Sequence, residues 1–227
     1  MARNPSRKIQ ALACRELARW LASTVRWSED LKQNPAERSN AERIWGKDHI
    51  AWIIANTDRA KKDAEALALV LQESYGDIFP DLSIGKRAPE IGSHDIDGKS
   101  VKLSAFKGRV VVLDFWATWC GPCRAMIPHQ REMVERLKDK PFALVSISID
   151  EEKETLTKFL AKEKMPWIHW WPGNNEGGVV EDWNIYRVPT IYVIDAQGVI
   201  RHKDIRGEEL EAGVHKLLEE LEQKSSN

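Results

Sequence analysis

The chain is 227 residues long, 42% hydrophobic and 30% charged, a globular composition that excludes collagen, wholesale disorder and a disulfide-held scaffold. Its 34 Lys and Arg balance 35 Asp and Glu, so no basic excess is available for nucleic-acid phosphates or an anionic membrane, and nucleic acid is not an expected partner. No apolar run approaches the roughly 20 residues of a membrane-spanning helix. Arg15, Glu16 and Arg19 interrupt any N-terminal apolar core, so no secretory leader is legible; the expectation is a cytoplasmic chain, or an exported one if a leader has been removed.

In residues 1–80 the apolar period is helical. Ile9, Ala13, Leu17, Trp20, Thr24, Trp27 and Leu31 recur at spacings of three and four, which predicts a helix that buries this face and ends at Asn34-Pro35. Ser39 and Glu42 form a capping-box pattern, which predicts a second helix start ahead of Ile44, Trp45, Ile50, Trp52 and Ile53. A third helix is predicted from Asp58 through Ala64, Leu67 and Leu71 to a stop at Gly76. The segment reads as a helical hairpin or small bundle, and its Cys14 as a small buried apolar side chain.

Turn residues from Phe79-Pro80-Asp81 to Ala88-Pro89 mark a junction, and residues 81–227 form the second region, where short apolar runs alternate with helical stretches. The runs at 110–116 and 142–149 predict strands buried on both faces, joined through a helix at 121–137 into a right-handed βαβ unit. A strand at 101–103, a helix at 152–163, an antiparallel hairpin of 190–194 with 199–205, and a last helix at 208–221 complete the pattern. The fold class is α/β, a mixed sheet flanked by helices and preceded by an α-helical N-terminal region. Trp167, His169, Trp170 and Trp171 precede a polar loop, Pro172-Gly173-Asn174-Asn175, and a short helix at 178–183. That aromatic cluster reads either as core packing or as a client-recognition surface.

Three Cys cannot build a disulfide framework, and two of them, Cys120 and Cys123, lie where the first buried strand turns into a helix. A Cys at a helix N-terminus faces unpaired backbone N–H groups and the positive end of the dipole, which favour thiolate and make Cys120 the candidate nucleophile. Cys123 follows by nearly one turn, placed to attack a mixed disulfide. Pro122 falls at an early helical position, where its missing N–H costs nothing. The competing reading is half a zinc site, but the six His are scattered singly and no second ligand pair exists, so no metal is expected. Asp114, a lone acid in an apolar strand, reads as a proton relay whose pKa burial raises, or as a core acid with a structural hydrogen bond.

The string Trp119-Cys120-Gly121-Pro122-Cys123, with Asp114 and Val188-Pro189-Thr190, resembles the thioredoxin superfamily. Ile84-Gly85-Lys86-Arg87-Ala88-Pro89, Asp97-Gly98, Leu103-Ser104 and Lys107-Gly108 resemble the entry segment of its redoxin-type, TlpA/ResA-like branch. The resemblance covers residues 81–227 and implies a thioredoxin-like domain running a dithiol-disulfide cycle. In that cycle Cys120 attacks a disulfide in a protein client, Cys123 resolves the mixed disulfide, and an upstream dithiol donor reduces the Cys120–Cys123 pair; no cofactor is required. It further implies Asp114 as proton relay, a cis Pro189 beside the sulfurs, and the backbone of Val188 offered to an extended peptide. Trp116, Trp119, Gly121, Pro122 and Thr190 complete the implied substrate-receiving surface, and Pro128 should kink the active-site helix.

Two departures from the branch stand out. Met126 occupies a position where it often has Glu, and Ser146 replaces thioredoxin's Lys opposite the acid, so proton handling falls more heavily on Asp114. Thr118 is one residue too close to Cys120 for the peroxidase spacing, and the required Pro is missing. The expected activity is reduction of protein disulfides, because Gly121-Pro122 between the cysteines resembles reductants. The competing readings are a binding module that docks a partner through the N-terminal helices, and a thiol peroxidase.

Overall fold

The computed structural model describes residues 6–173 and 178–225, so Asn174 and Asn175 of the expected polar loop lie outside the described residues. The chain divides into two compact units, Met1–Phe79 and Pro80–Asn227. No helix among the described residues is long and apolar enough to cross a membrane.

The first unit has four helices, α1 (Arg7–Gln33), α2 (Pro35–Trp45), α3 (Lys47–Ala55) and α4 (Thr57–Tyr75). Asn34 ends α1 and caps α2, its Oδ1 accepting the Glu37 N–H at 3.3 Å with Pro35 in the first turn. The capping box at Ser39 is therefore not used, because the helix is already running there. Gly46, at φ +88°, breaks the expected second helix into α2 and α3.

The buried face of α1 also differs from expectation. Ala11, Cys14, Ser28 and Leu31 are buried, whereas Ile9, Leu17, Trp20 and Trp27 are exposed. Helix α4 packs antiparallel on the small-residue side: Tyr75 donates to Gln10 at 3.1 Å, Cys14 Sγ lies 3.8 Å from the Leu67 carbonyl, and Ser28 bonds Thr57. Small side chains let two helix backbones approach closely, and that contact outranks the larger but bulkier stripe. Only at Leu31 is the expected face covered, by Ala41, Ile50 and Ile53 of α2 and α3.

The second unit opens with a hairpin of β1 (Gly92–His94) and β2 (Ser100–Lys102) and a 3-10 turn, Leu103–Phe106. There follow β3 (Val110–Trp116), α5 (Gly121–Arg136), β4 (Phe142–Ser148), α6 (Lys153–Lys162), β5 (Ile168–Trp170), α7 (Val179–Asp182), β6 (Thr190–Ile194), β7 (Ile200–Lys203) and α8 (Gly207–Ser225). The sheet order is β5-β4-β3-β6-β7, with β3, β4 and β5 parallel and β6 and β7 antiparallel to their neighbours.

Every residue of β3 is buried, and the two-residue period of a strand divides them between the two faces of the sheet. Val111, Leu113 and Phe115 join Trp170, Trp183 and Tyr192; Val110 and Val112 join Met133, Leu137, Leu210 and Val214 beneath α5 and α8. The same alternation puts Asp114 and Trp116 on the α5 side. Strands β1 and β5 were not expected, whereas β2, equally short, was, shifted by one residue from the expected 101–103.

Candidate active site

The chain leaves β3 through Ala117, Thr118 and Trp119 and enters α5 with Cys120 as its N-cap. Cys120 Sγ accepts the Cys123 N–H at 3.2 Å, against the positive end of the helix, where a thiolate is favoured. The two cysteines are joined by a disulfide, with Cα atoms 5.3 Å apart. Both are covered, at 4% and 2% exposure, while Gly121, Pro122 and above all Trp119, at 67%, are exposed around them.

Asp114 lies on the α5 side of the sheet and is buried. Its Oδ2 accepts from Gln130 Nε2 at 2.9 Å and Ser146 Oγ at 3.4 Å, and Ser146 Oγ in turn takes the Trp167 Nε1–H at 2.9 Å. Its Oδ1 is buried without a hydrogen-bond partner. Burial pushes the carboxyl up to about 6, against the opposing pull of the Gln130 and Ser146 hydrogen bonds and the Arg206 charge.

The Val188–Pro189 peptide is cis. Val188 packs against the cluster of Trp116, Ala117, Cys120 and Cys123, so the structure brings this loop and the disulfide together. The Pro189 carbonyl accepts from Arg206 Nη2 at 3.0 Å, and the Thr190 hydroxyl is turned back onto the Arg187 carbonyl at 2.8 Å. Thr190 is buried, its side chain closing the loop. Trp116, at 1% exposure and with its ring edge-on to Phe159, packs in the same cluster as the disulfide because the strand alternation turns it inward. Of the two Trp, Trp119 alone reaches the surface beside the pair.

Residues 84–203, more than half of the chain, match the model of the AhpC/TSA family. The chain belongs to that family. It is 27% identical over 157 residues to the thiol-disulfide oxidoreductase ResA of Bacillus cereus, covering 69% of this chain and 88% of the relative. It is 28% identical over 131 residues to the thioredoxin-like protein YneN of Bacillus subtilis, covering 58% and 76%. Among solved structures, the thioredoxin domain of a thiol-disulfide oxidoreductase from Bacteroides vulgatus aligns with a TM-score of 0.57 at 32% identity, over 61% of this chain and 99% of that one. A thiol:disulfide interchange protein from a Bacteroides species aligns with the same TM-score of 0.57 and 32% identity, over 61% and 91%. The chain is thus a ResA-like member of the thioredoxin superfamily, and its chemistry is thiol-disulfide exchange.

In this ResA-like chain three polar groups near the site escape a reading by motif. The buried Asp150 carboxylate, just past β4, accepts the Thr118 N–H at 3.1 Å, the Thr118 hydroxyl at 2.7 Å and the Ser148 hydroxyl at 2.7 Å, which ties down the turn before Trp119. Its signal in the sequence is an acid closing an apolar run. Gln130 could have been found as the residue two helical turns after Cys123, on the same face. Arg206 gave no local signal, because only the fold brings it to Pro189. The aromatic cluster resolves as packing: Trp170 is fully buried and Trp171 Nε1 donates to the Asp150 carbonyl at 2.8 Å. His169 is buried with Nε2 against the Met165 carbonyl, and burial lowers its pKa.

Proposed function

We propose that the chain reduces disulfides in protein clients through Cys120 and Cys123, with Asp114 as the proton acceptor. The Cys120 thiolate attacks one sulfur of a client disulfide; that bond breaks, and its electron pair leaves on the client's other sulfur. The Cys123 thiol gives its proton to the Asp114 carboxylate and attacks Cys120 Sγ, forming the Cys120–Cys123 disulfide. The client departs with two electrons more, each of its sulfurs taking up a proton, and an upstream dithiol donor returns the pair to the reduced state. The redox group is the cysteine pair itself, with no added cofactor.

The observation that carries this reading is an N-cap sulfur at the start of α5 together with a buried acid on the α5 side of the sheet, its carboxyl pushed up to about 6 by burial. Such an acid is mostly carboxylate at neutral pH yet close enough to neutrality to take a proton in passing. Val188, packed against the cysteine cluster, and exposed Trp119 are the parts that meet an extended client segment.

Two measurements test the proposal. Cys123→Ser should leave clients disulfide-bonded to Cys120, and Cys120→Ser should trap none; equal trapping by both variants sinks the assignment. Equilibration with a glutathione series should place the pair at or below the roughly −220 to −260 mV poise of a reducing compartment, and a value near −120 mV would make the chain an oxidant.

A further inference from the structure

The inner face of α5 carries Cys123, Ile127, Gln130 and Met133, all buried. At these spacings an apolar stripe is expected, and a buried amide in it is costly unless bonded. The Gln130 amide meets Asp114, donating from Nε2 to Oδ2 at 2.9 Å. Ser146, itself held by Trp167, approaches the same oxygen at 3.4 Å, so both donors converge on Oδ2 and Oδ1 is left without a partner. Met126, half-buried on the same helix, brings no second acid.

We propose that Gln130 is a positioning residue for thiol-disulfide exchange: it grips Asp114 by Oδ2, fixes the plane of the carboxyl, and leaves Oδ1 as the oxygen that takes the Cys123 proton. This rests on the relay role given to Asp114 above. The helix that presents Cys123 also carries, two turns on, the donor that orients its base. The groups packed around Asp114 are Gln130 of α5, Ser146 of β4 and, in the β6 register, the apolar Ile191. The charge acting on it is that of Arg206, ahead of α8. His169, paired with Ser146 in the β4–β5 register, is turned to the Met165 carbonyl, and burial lowers its pKa. An amide donor to the carboxylate favours its ionised form, so removing it should make Asp114 a carboxylate only at higher pH.

The test uses the reduced full chain and dithiobis(nitrobenzoate). Attack by Cys120 releases one thionitrobenzoate; attack by Cys123 on the resulting mixed disulfide releases a second and leaves the protein disulfide. Stopped-flow traces give both phases across pH 5–9, in about half-unit steps. Gln130→Met, of similar length and able to fill the same space, should move the midpoint of the second phase up by about one pH unit. That phase should slow about fivefold at pH 6 and less than twofold at pH 8, with the first phase unchanged. Gln130→Leu should behave alike, and serves if the Met variant does not fold. Asp114→Asn should lose the acid limb altogether, and adding Gln130→Met to it should change nothing further. If Gln130→Met keeps the wild-type profile while Asp114→Asn has lost its limb, the Gln130 role is overturned and the relay stands. If Asp114→Asn keeps the wild-type profile, both are overturned.

Discussion

The two units reach their cores by different rules. In the sheet unit a strand such as β3 has side chains on two opposite faces, both covered, so every residue from Val110 to Trp116 is buried and its face follows from odd or even position. In the helical unit α1 carries two apolar stripes, and the neighbouring helix takes the one with smaller side chains, leaving Trp20 at 61% and Ile9 at 51% exposure. Burial in the first case is set by alternation along the chain; in the second it is set by which stripe permits closer backbone approach. Large aromatic residues are therefore a poor guide to the core of the helical unit and a good one in the sheet unit.

Substitutions can break this contrast. The largest effect should come from Trp183→Ala, since that fully buried ring packs on Tyr192 at 5.0 Å and Phe115 at 5.9 Å; the sheet unit should lose about 3–5 kcal/mol in urea unfolding. A loss under about 1 kcal/mol would mean the unit tolerates a cavity that its packing argues against.

Next comes Asp114. A carboxyl raised in the folded chain from 3.8 to about 6 contributes about 3 kcal/mol of stability that is fully present below about pH 4 and is lost as pH rises through 6. Asp114→Asn should flatten the stability of the oxidised protein between about pH 4 and 7 and leave it more stable than wild type at pH 7. Parallel pH curves for the two proteins would place the acid's ionisation outside the energetics of folding.

In the helical unit, Leu31→Ala should cost about 2–3 kcal/mol, the low end for a buried Leu because α2 and α3 are short enough to settle onto the gap. Cys14 offers a direct readout, being buried with its thiol pushed up by burial, so its alkylation should report opening of the α1–α4 pair and accelerate in the Leu31→Ala chain. The smallest effect is expected at Trp20→Ala and Trp45→Ala, each within about 0.5 kcal/mol, because both rings are 61% exposed. A loss of several kcal/mol at either would show that the outer stripe of α1 or the end of α2 is covered in solution.

Much of the sheet unit was legible because its signals are local. Apolar runs bounded by turn residues located β3 and β6 to the residue, and a helix start at Gly121 followed from Cys120 and Pro122. The three-residue β1 and β5 gave no period, although the equally short β2 was found, and a capping box at Ser39 lost to Asn34-Pro35 because a helix can start only once and the earlier cap came with a proline in its first turn. In the site, the motif named the cysteines and the acid, gave no sign that Trp116 and Thr190 are buried, and passed over Gln130, Asp150 and Arg206.

The sequence by itself determined the residue types of the exchange chemistry and the strand-to-helix turn that holds them, since adjacent residues and a helix terminus suffice to create that environment. Tertiary structure alone decided which stripe of α1 is buried, which Trp beside the cysteines meets solvent, and which oxygen of Asp114 stays free. Those outcomes depend on contacts between segments far apart in the chain, such as Gln130 with Asp114 and Arg206 with Pro189, where distance and packing choose among partners that composition and period leave equivalent.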